Sequence, residues 1–125
     1  MVTEKCFVPD TAGEGKFRGG DAQRLSFKSM ATMPITMTIR HERISYPPRG
    51  LLGGENGAPG EDLVNGRAIP SKSRQDLQPG DVATFQTPGG GGLHPPNQRA
   101  AASVREDIRR GLLSKEKALH VYGQT

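Results

Sequence analysis

Cysteine and tryptophan are almost missing from this sequence, and their scarcity removes several classes of site. The 125 residues include one cysteine, Cys6, and no tryptophan. A single thiol can form neither an internal disulfide nor a cysteine zinc cluster, and it fits a reducing compartment. We therefore expect a cytoplasmic protein without a structural zinc site.

Aromatic residues and focused positive charge are also scarce. The chain has two tyrosines and four phenylalanines, and its 17 lysines and arginines stand against 13 acidic residues, for a net charge of +4. Because the basic residues are dispersed and few aromatic platforms accompany them, we predict no nucleic-acid partner. No apolar run approaches the roughly 18 residues of a membrane helix, and no export signal is visible, so we also predict no membrane association.

Apolar residues are few, whereas glycine and proline are abundant. Only 33% of the residues are hydrophobic, while 17 are glycine and 10 are proline. This composition predicts a loop-rich chain with a thin core, or a portion of a larger assembly that does not enclose its own core. By length we expect a single domain over residues 1–125.

Short runs with a period of two predict β-strands. Leu25 and Phe27 alternate in "RLSFK", and a second strand with the same period carries Met33, Ile35, Met37 and Ile39. "DVATFQT" predicts a third strand, and Asn65-Gly66 predicts a tight hairpin between "EDLV" and "RAIP". The sequence therefore predicts a mostly β fold, as a β-sandwich or a partly open barrel, with long Gly/Pro-rich loops.

The last third of the chain changes to a helical period, which predicts a helical tail over residues 97–125. Ser103 and Glu106 match the capping-box pattern for a first helix that ends at Gly111. Ser114 is expected to cap a second helix, "KEKALHVY", which Gly123 closes. The predicted fold is thus mostly β with two short C-terminal helices.

No short catalytic motif is complete. "GEGK" lacks the earlier glycine and the following Ser or Thr of a phosphate-binding loop, because Asp10 and Phe17 occupy those positions. Two alternatives to a purely structural role remain open. One is an anion site built from backbone N–H groups of the glycine loops. The other is a small self-sufficient enzyme that combines a histidine with an acid, from His41, His94 and His120 with Asp10, Asp62 and Asp81.

Four segments in order carry a family resemblance: "DTAGEGKFRGG", "PPRGLLGGENGAPG", "LQPGDVATFQTPGGGG" and "VREDIRRGLLSKEKALHVYG". Together they resemble the C-terminal portion of the hydantoinase B and oxoprolinase family, which includes related subunits of ATP-dependent ketone carboxylases such as acetone carboxylase. The resemblance extends from about Asp10 to Gly123. Family members are several times longer than this chain.

The resemblance implies a parent activity, the ATP-dependent opening of a cyclic amide such as a hydantoin or 5-oxoproline. It implies as partners the remaining hydantoinase B portion and a hydantoinase A-type subunit. ATP and a divalent metal are expected elsewhere in that assembly, so we expect no cofactor, no metal ligand and no assignable catalytic residue in this chain. What carries over is a structural and interface scaffold of glycines: Gly19, Gly20, Gly53, Gly54, Gly57, Gly60, Gly89, Gly90, Gly91 and Gly92.

One departure from the family pattern concerns the turn after the four glycines. Where the family continues with an aromatic residue, glycine and Asp-Pro, this chain has Leu93, His94, Pro95 and Pro96. His94 is the one substitution there with the chemistry for a functional role. The resulting hypothesis is an interface domain of a cyclic-amide hydrolase that packs its glycine-rich turn against an absent part of the protein. A stand-alone binding module and a ketone carboxylase subunit fragment are the alternatives, and exposed strand edges would favour self-association.

Overall fold

The strands all lie before residue 87 and the helices follow at the C-terminal end, in a computed structural model that describes residues 1–124. The two helices are α1, Ala101–Arg109, and α2, Lys115–Tyr122, preceded by a short 3-10 helix at Pro96–Gln98. The strands are β1 Val2–Val8, β2 Ala22–Lys28, β3 Ile35–Arg40, β4 Glu61–Val64, β5 Arg67–Ala68, β6 Lys72–Leu77 and β7 Val82–Gln86.

The strands form two antiparallel sheets that do not close into a barrel. The larger sheet has the order β1-β2-β7-β4-β5, and β3 pairs with β6 in a separate two-stranded sheet. The mostly β prediction is confirmed. The larger sheet is not closed, because β1 and β5 end it as separate edges.

Most predicted strands are present, and two strands were not expected. The strand around Leu25, the strand of "DVATFQT" and the hairpin at Asn65-Gly66 are confirmed, although β3 begins at Ile35 and leaves Met33 outside. At the hairpin, φ is 50° at Asn65 and 76° at Gly66, as this turn requires. Strands β1 and β6 carry no apolar alternation, which explains why the pattern did not reveal them.

The apolar core is small and consists mainly of short side chains. One cluster contains Val104 of α1, Ala118 of α2 and Leu113 from the turn between the helices. Ile108 and Tyr122 pack against it. The remaining buried apolar residues come from the strands and the first loop: Ala12, Ala22, Ile39, Leu77 and Ala83. The thin core that the composition predicted is therefore present.

The two helices begin in different ways. The capping box is wrong: α1 begins after Ala100, so that Ser103 lies inside the helix and Glu106 pairs with Arg109 instead. The cap of α2 is confirmed, since the Ser114 side chain accepts a hydrogen bond from the Lys117 N–H at 3.1 Å. Gly123 closes α2 with φ 67°. Among residues 1–124, no helix is long and apolar enough to span a membrane.

Candidate functional site

Three glycine-rich segments lie side by side, and we call residues 10–20, 48–60 and 88–94 the glycine bundle. Each segment hydrogen-bonds to the other two through its backbone. The Gly13 N–H donates to the Gly90 carbonyl at 2.7 Å. The Glu55 N–H donates to the backbone carbonyl of Glu14 at 2.7 Å, and the Gly92 N–H donates to the backbone carbonyl of Glu55 at 2.9 Å. The three glycine-rich segments thus form one packed unit.

Glycine is required in the bundle because the backbones approach too closely for a side chain. A Cβ at Gly19 would lie under 3.0 Å from the carbonyl of Gly90, and one at Gly54 would meet Gly92 in the same way. Neither glycine has a left-handed φ, so proximity alone excludes the side chain. The same clash with backbone atoms occurs at Gly57, Gly60, Gly89, Gly91 and Gly92.

The other three glycines of the predicted scaffold differ. Gly53 has φ 91° and faces the ring of Pro95, and a Cβ at Gly90 would stand 3.0 Å from the Gly20 nitrogen. A Cβ at Gly20 would meet nothing within 4 Å. All these contacts come from within the chain, so contact of the turn with an absent part of the protein stays a prediction.

The backbone N–H groups of the bundle are already engaged. Those of Gly89, Gly90 and Gly92 donate to the carbonyls of Ala58, Gly20 and Glu55 at 2.8–2.9 Å. An anion nest needs successive N–H groups that point at the ligand. The geometry therefore does not support the anion-site alternative at these three glycines.

A buried ionic cluster, which the sequence did not indicate, joins the bundle to α2. The fully buried Glu14 carboxylate accepts a hydrogen bond from the Tyr122 hydroxyl, and Arg18 Nε and Lys117 Nζ lie 3.2 and 3.4 Å from it. Arg18 also binds both oxygens of Asp21. Burial and the hydrogen bond to Glu14 raise the pKa of Tyr122. Because Glu14 has no solvent access, the cluster holds elements together and offers no surface to a substrate.

Two of the three predicted acids act as structural anchors. Asp10 Oδ1 accepts the Ser114 N–H at 2.8 Å and so positions the start of α2. Asp81 accepts from the Asn65 side chain and from the Gln78 N–H, and these bonds lower the pKa of Asp81. Neither acid is paired with a histidine.

Among residues 1–124, two of the three predicted histidines form no hydrogen bond or ion pair with an acid. His120 is exposed on α2. His94 has φ 61°, and its backbone N–H donates to Leu51 while its carbonyl accepts from Lys16. The structure therefore shows His94 in a backbone role within the bundle and brings no acid to it.

His41 and Asp62 form the one predicted histidine–acid pair that the described residues bring together. Nδ1 of His41 lies 2.6 Å from Oδ1 of Asp62. The Asp62 side chain is 1% exposed and the His41 side chain 45%, and the imidazole packs edge-on against Phe85 with ring centroids 5.2 Å apart. Spacing along the chain gave no reason to prefer this pair, because β3 and β4 belong to different sheets.

A cavity of about 560 Å³ lies beside this pair. Its apolar lining comes from Leu25, Ile44, Phe85 and Pro88. An imidazole oriented by a buried carboxylate can transfer protons or bind a ligand. However, among residues 1–124 no hydroxyl or thiol hydrogen-bonds to His41, and no three His, Cys, Asp or Glu side chains gather as a metal site. The pair is therefore an oriented imidazole without the other groups of a catalytic site.

Comparison with known proteins gives a family match. The model of the hydantoinase B/oxoprolinase family matches residues 1–96. Among similar curated proteins, the caprolactamase subunit beta of Pseudomonas jessenii is 31% identical over 134 residues, which cover 98% of this chain and 22% of that protein. The 5-oxoprolinase of Dictyostelium discoideum is 39% identical over 98 residues, covering 74% of this chain and 8% of that protein.

Solved structures agree with this match. The crystal structure of the ATP-dependent caprolactamase from Pseudomonas jessenii superimposes with a TM-score of 0.80 at 26% identity, over 98% of this chain and 23% of that one. A nucleotide-free acetone carboxylase gives a TM-score of 0.74 at 18% identity, a likeness of fold alone. The chain thus spans less than a quarter of the length of each of these relatives.

Proposed function

The chain belongs to the hydantoinase B/oxoprolinase family, and from that premise we propose that it is a scaffold and interface domain of a larger ATP-dependent cyclic-amide hydrolase. In this proposal the chain forms the C-terminal part of a hydantoinase B-type protein. The substrate is a lactam or related ring such as 5-oxoproline or a hydantoin. A ketone carboxylase subunit is the alternative, and it has the support of the fold likeness alone.

The observation that carries the interface role is the amount of surface left exposed. A 13.4 kDa monomer is expected to expose about 6,500 Å², whereas this chain exposes 7677 Å². Large apolar side chains make up part of that surface, including Phe7, Phe17, Leu51 and Leu52, each more than half exposed. Surface of this kind is typical of a chain that packs against another one.

The partners follow from the family and not from contacts within the chain. We propose that the remaining hydantoinase B portion covers the exposed surface and that a hydantoinase A-type subunit handles ATP. The divalent metal would also lie outside this chain, and the assembly would work in the cytoplasm. The name of the caprolactamase relative, a beta subunit, supports a multi-subunit assembly.

Co-expression tests the proposal. The chain is produced alone and together with the remaining hydantoinase B portion, and mass in solution and thermal unfolding are measured for both. We expect a defined complex whose melting temperature exceeds that of the chain alone, since a partner that binds only the native state stabilises it. In an ATP-dependent hydrolysis assay on 5-oxoproline and a hydantoin, the chain alone should be inactive.

Two results would contradict this proposal. One is a lone monomer that melts cooperatively and is unaffected by the remaining portion, which would indicate an autonomous domain. The other is hydrolysis of either ring by the isolated chain, which would indicate a self-sufficient enzyme. A Gly20→Ala variant is the control for handling and expression, because a Cβ there meets nothing within 4 Å.

A further inference from the structure

One face of the five-stranded sheet carries a row of side chains across four strands. The strand register places Lys5, Leu25, Phe85 and Asp62 side by side from β1 to β4. Residues two positions away on a strand share a face, which adds Phe7 and Phe27. We call Phe7, Leu25, Phe27, Phe85 and Asp62 the Leu25 face.

The Leu25 face is apolar except for Asp62, has the charged Lys5 beside it on β1, and is partly open. Phe7 is 58% exposed and Leu25 is 37% exposed, while the rings of Phe27 and Phe85 pack against each other at 5.6 Å. The cavity of about 560 Å³ lies over this face, between Leu25 and Phe85 on one side and Ile44 on the other. The apolar face of an antiparallel sheet is commonly packed against another layer of protein.

His41 supplies one fixed polar group at the edge of this apolar face. The Asp62 carboxylate is held by the bond to His41 Nδ1, and its second oxygen is buried without a hydrogen-bond partner among residues 1–124. When Nδ1–H donates to Asp62, a neutral ring presents Nε2 as an acceptor. Nε2 makes no hydrogen bond to any residue of the described chain. The site therefore offers apolar walls, polar neighbours that include Arg40 and Glu42, and, in this tautomer, one oriented ring nitrogen that can accept a hydrogen bond.

We propose that the Leu25 face is the docking site for the remaining hydantoinase B portion, through an apolar segment that donates one N–H to His41 Nε2. This inference rests on the proposed function. About four-fifths of the caprolactamase beta relative lies outside the part that this chain matches, so a covering segment is available in proteins of this family. The excess exposed surface favours such a cover, and this face combines apolar walls, a cavity and a ring nitrogen without a partner among residues 1–124.

The test compares two exposed leucines in the co-expressed complex. Leu25→Glu places a charge at the centre of the face, and we expect the dissociation constant, measured by dilution of the co-purified complex, to rise at least tenfold. Leu119→Glu is the matched control, because Leu119 is 60% exposed on α2, away from this face. His41→Ala should weaken the complex about tenfold by removing the acceptor.

The outcomes separate this inference from the proposed function. If the unaltered chain forms no complex, the proposed function fails and the inference fails with it. If the complex forms and Leu25→Glu binds as tightly as Leu119→Glu, only the docking site is wrong. Self-association of the chain alone that Leu25→Glu abolishes would make a second copy the occupant and overturn the proposal. Should Leu25→Glu misfold, Phe7→Asp at the exposed edge repeats the test with the same expected loss.

Discussion

At the scale of single residues, backbone conformation and backbone contact make different demands on the sequence. Asn65 and His94 both have positive φ, at 50° and 61°. Asparagine tolerates this region and is common in hairpin turns, whereas histidine there is less usual. Apart from Gly53, the glycines of the bundle do not need this freedom, since their φ values are not left-handed. They are needed because neighbouring carbonyls occupy the space of a side chain.

Gly19 and Gly20 give a direct test of this distinction. Gly19→Ala should destabilise the protein by on the order of 3 kcal/mol, because its Cβ would collide with the Gly90 carbonyl, which cannot move without disturbing the bundle. Gly20→Ala should leave stability within about 0.5 kcal/mol. Urea denaturation of both variants measures the difference. Equal stability of the two would mean that the bundle yields to a methyl group and that close approach is not the reason for glycine.

Sequence reasoning found these glycines but not what surrounds them. A family resemblance marked Gly19, Gly54 and Gly89 as part of a structural and interface scaffold, without indicating which segments they meet. Their partners are carbonyls 35 or more residues away in the chain, and no local pattern reveals which segments meet. Glu14 was missed for a related reason: "GEGK" drew attention as an incomplete phosphate loop, while the burial of its acid depends on α2, about a hundred residues later.

At the scale of elements, the same local pattern had two outcomes. Ser103-x-x-Glu106 matches a capping box, in which the serine must lie just before the helix. Here the chain is extended only through Ala100 and is helical from Ala101, so Ser103 already lies inside α1. Ser114 does cap its helix, and Asp10 receives the Ser114 N–H. A capping motif thus specifies a helix start only where the preceding chain is held outside the helix.

Alanine at these two serines should therefore have different effects. Ser114→Ala removes the cap of α2 and is expected to cost about 1 kcal/mol. Ser103→Ala lies in the first turn of α1 without a capping bond and should be neutral or slightly stabilising, because alanine is the better helix former. Thermal melts of both variants, with far-ultraviolet circular dichroism as the readout, check this. Loss of stability in Ser103→Ala comparable to that in Ser114→Ala would restore the capping box at α1.

The spacing of the glycines is informative at this scale as well. Gly54, Gly57 and Gly60 recur every three residues, as do Gly89 and Gly92. A repeat of three is typical of extended helices with three residues per turn, in which one face repeats at every third position. The periods of two and 3.6 that predict strands and helices are absent here, so the sequence predicts loops for these segments. Strands and helices follow from such patterns, whereas the backbone packing of the three glycine-rich segments does not.

At the scale of the whole molecule, the chain compensates for its thin apolar core by packing backbone against backbone. The bundle fills the space that large side chains fill elsewhere, and hydrogen bonds between its segments satisfy the buried peptide groups. Such an interior leaves little apolar material to cover the outer faces of the sheets. The exposed Leu25 face and the close-packed bundle are thus two consequences of one composition.

The buried Glu14 cluster is one of the connections between the bundle and the C-terminal end of the chain, beside the bond from Ser114 to Asp10, and its removal should loosen α2. Glu14→Ala leaves Arg18 and Lys117 without their shared carboxylate and Tyr122 without its acceptor, and breaking a buried pair in this way is expected to cost about 3–5 kcal/mol. The amide hydrogens of α2 should then exchange faster than those of β2 and β7, because α2 loses one of its attachments while the central strands keep their ladder. Glu106→Ala is the matched control: Glu106 binds Arg109 at 2.6 Å, but both side chains are at least half exposed, so no measurable change is expected. Hydrogen exchange followed by mass spectrometry on both variants decides the matter. Uniform loss of protection across the strands and α2 of Glu14→Ala would contradict a local attachment and would instead make Glu14 a part of the global folding unit.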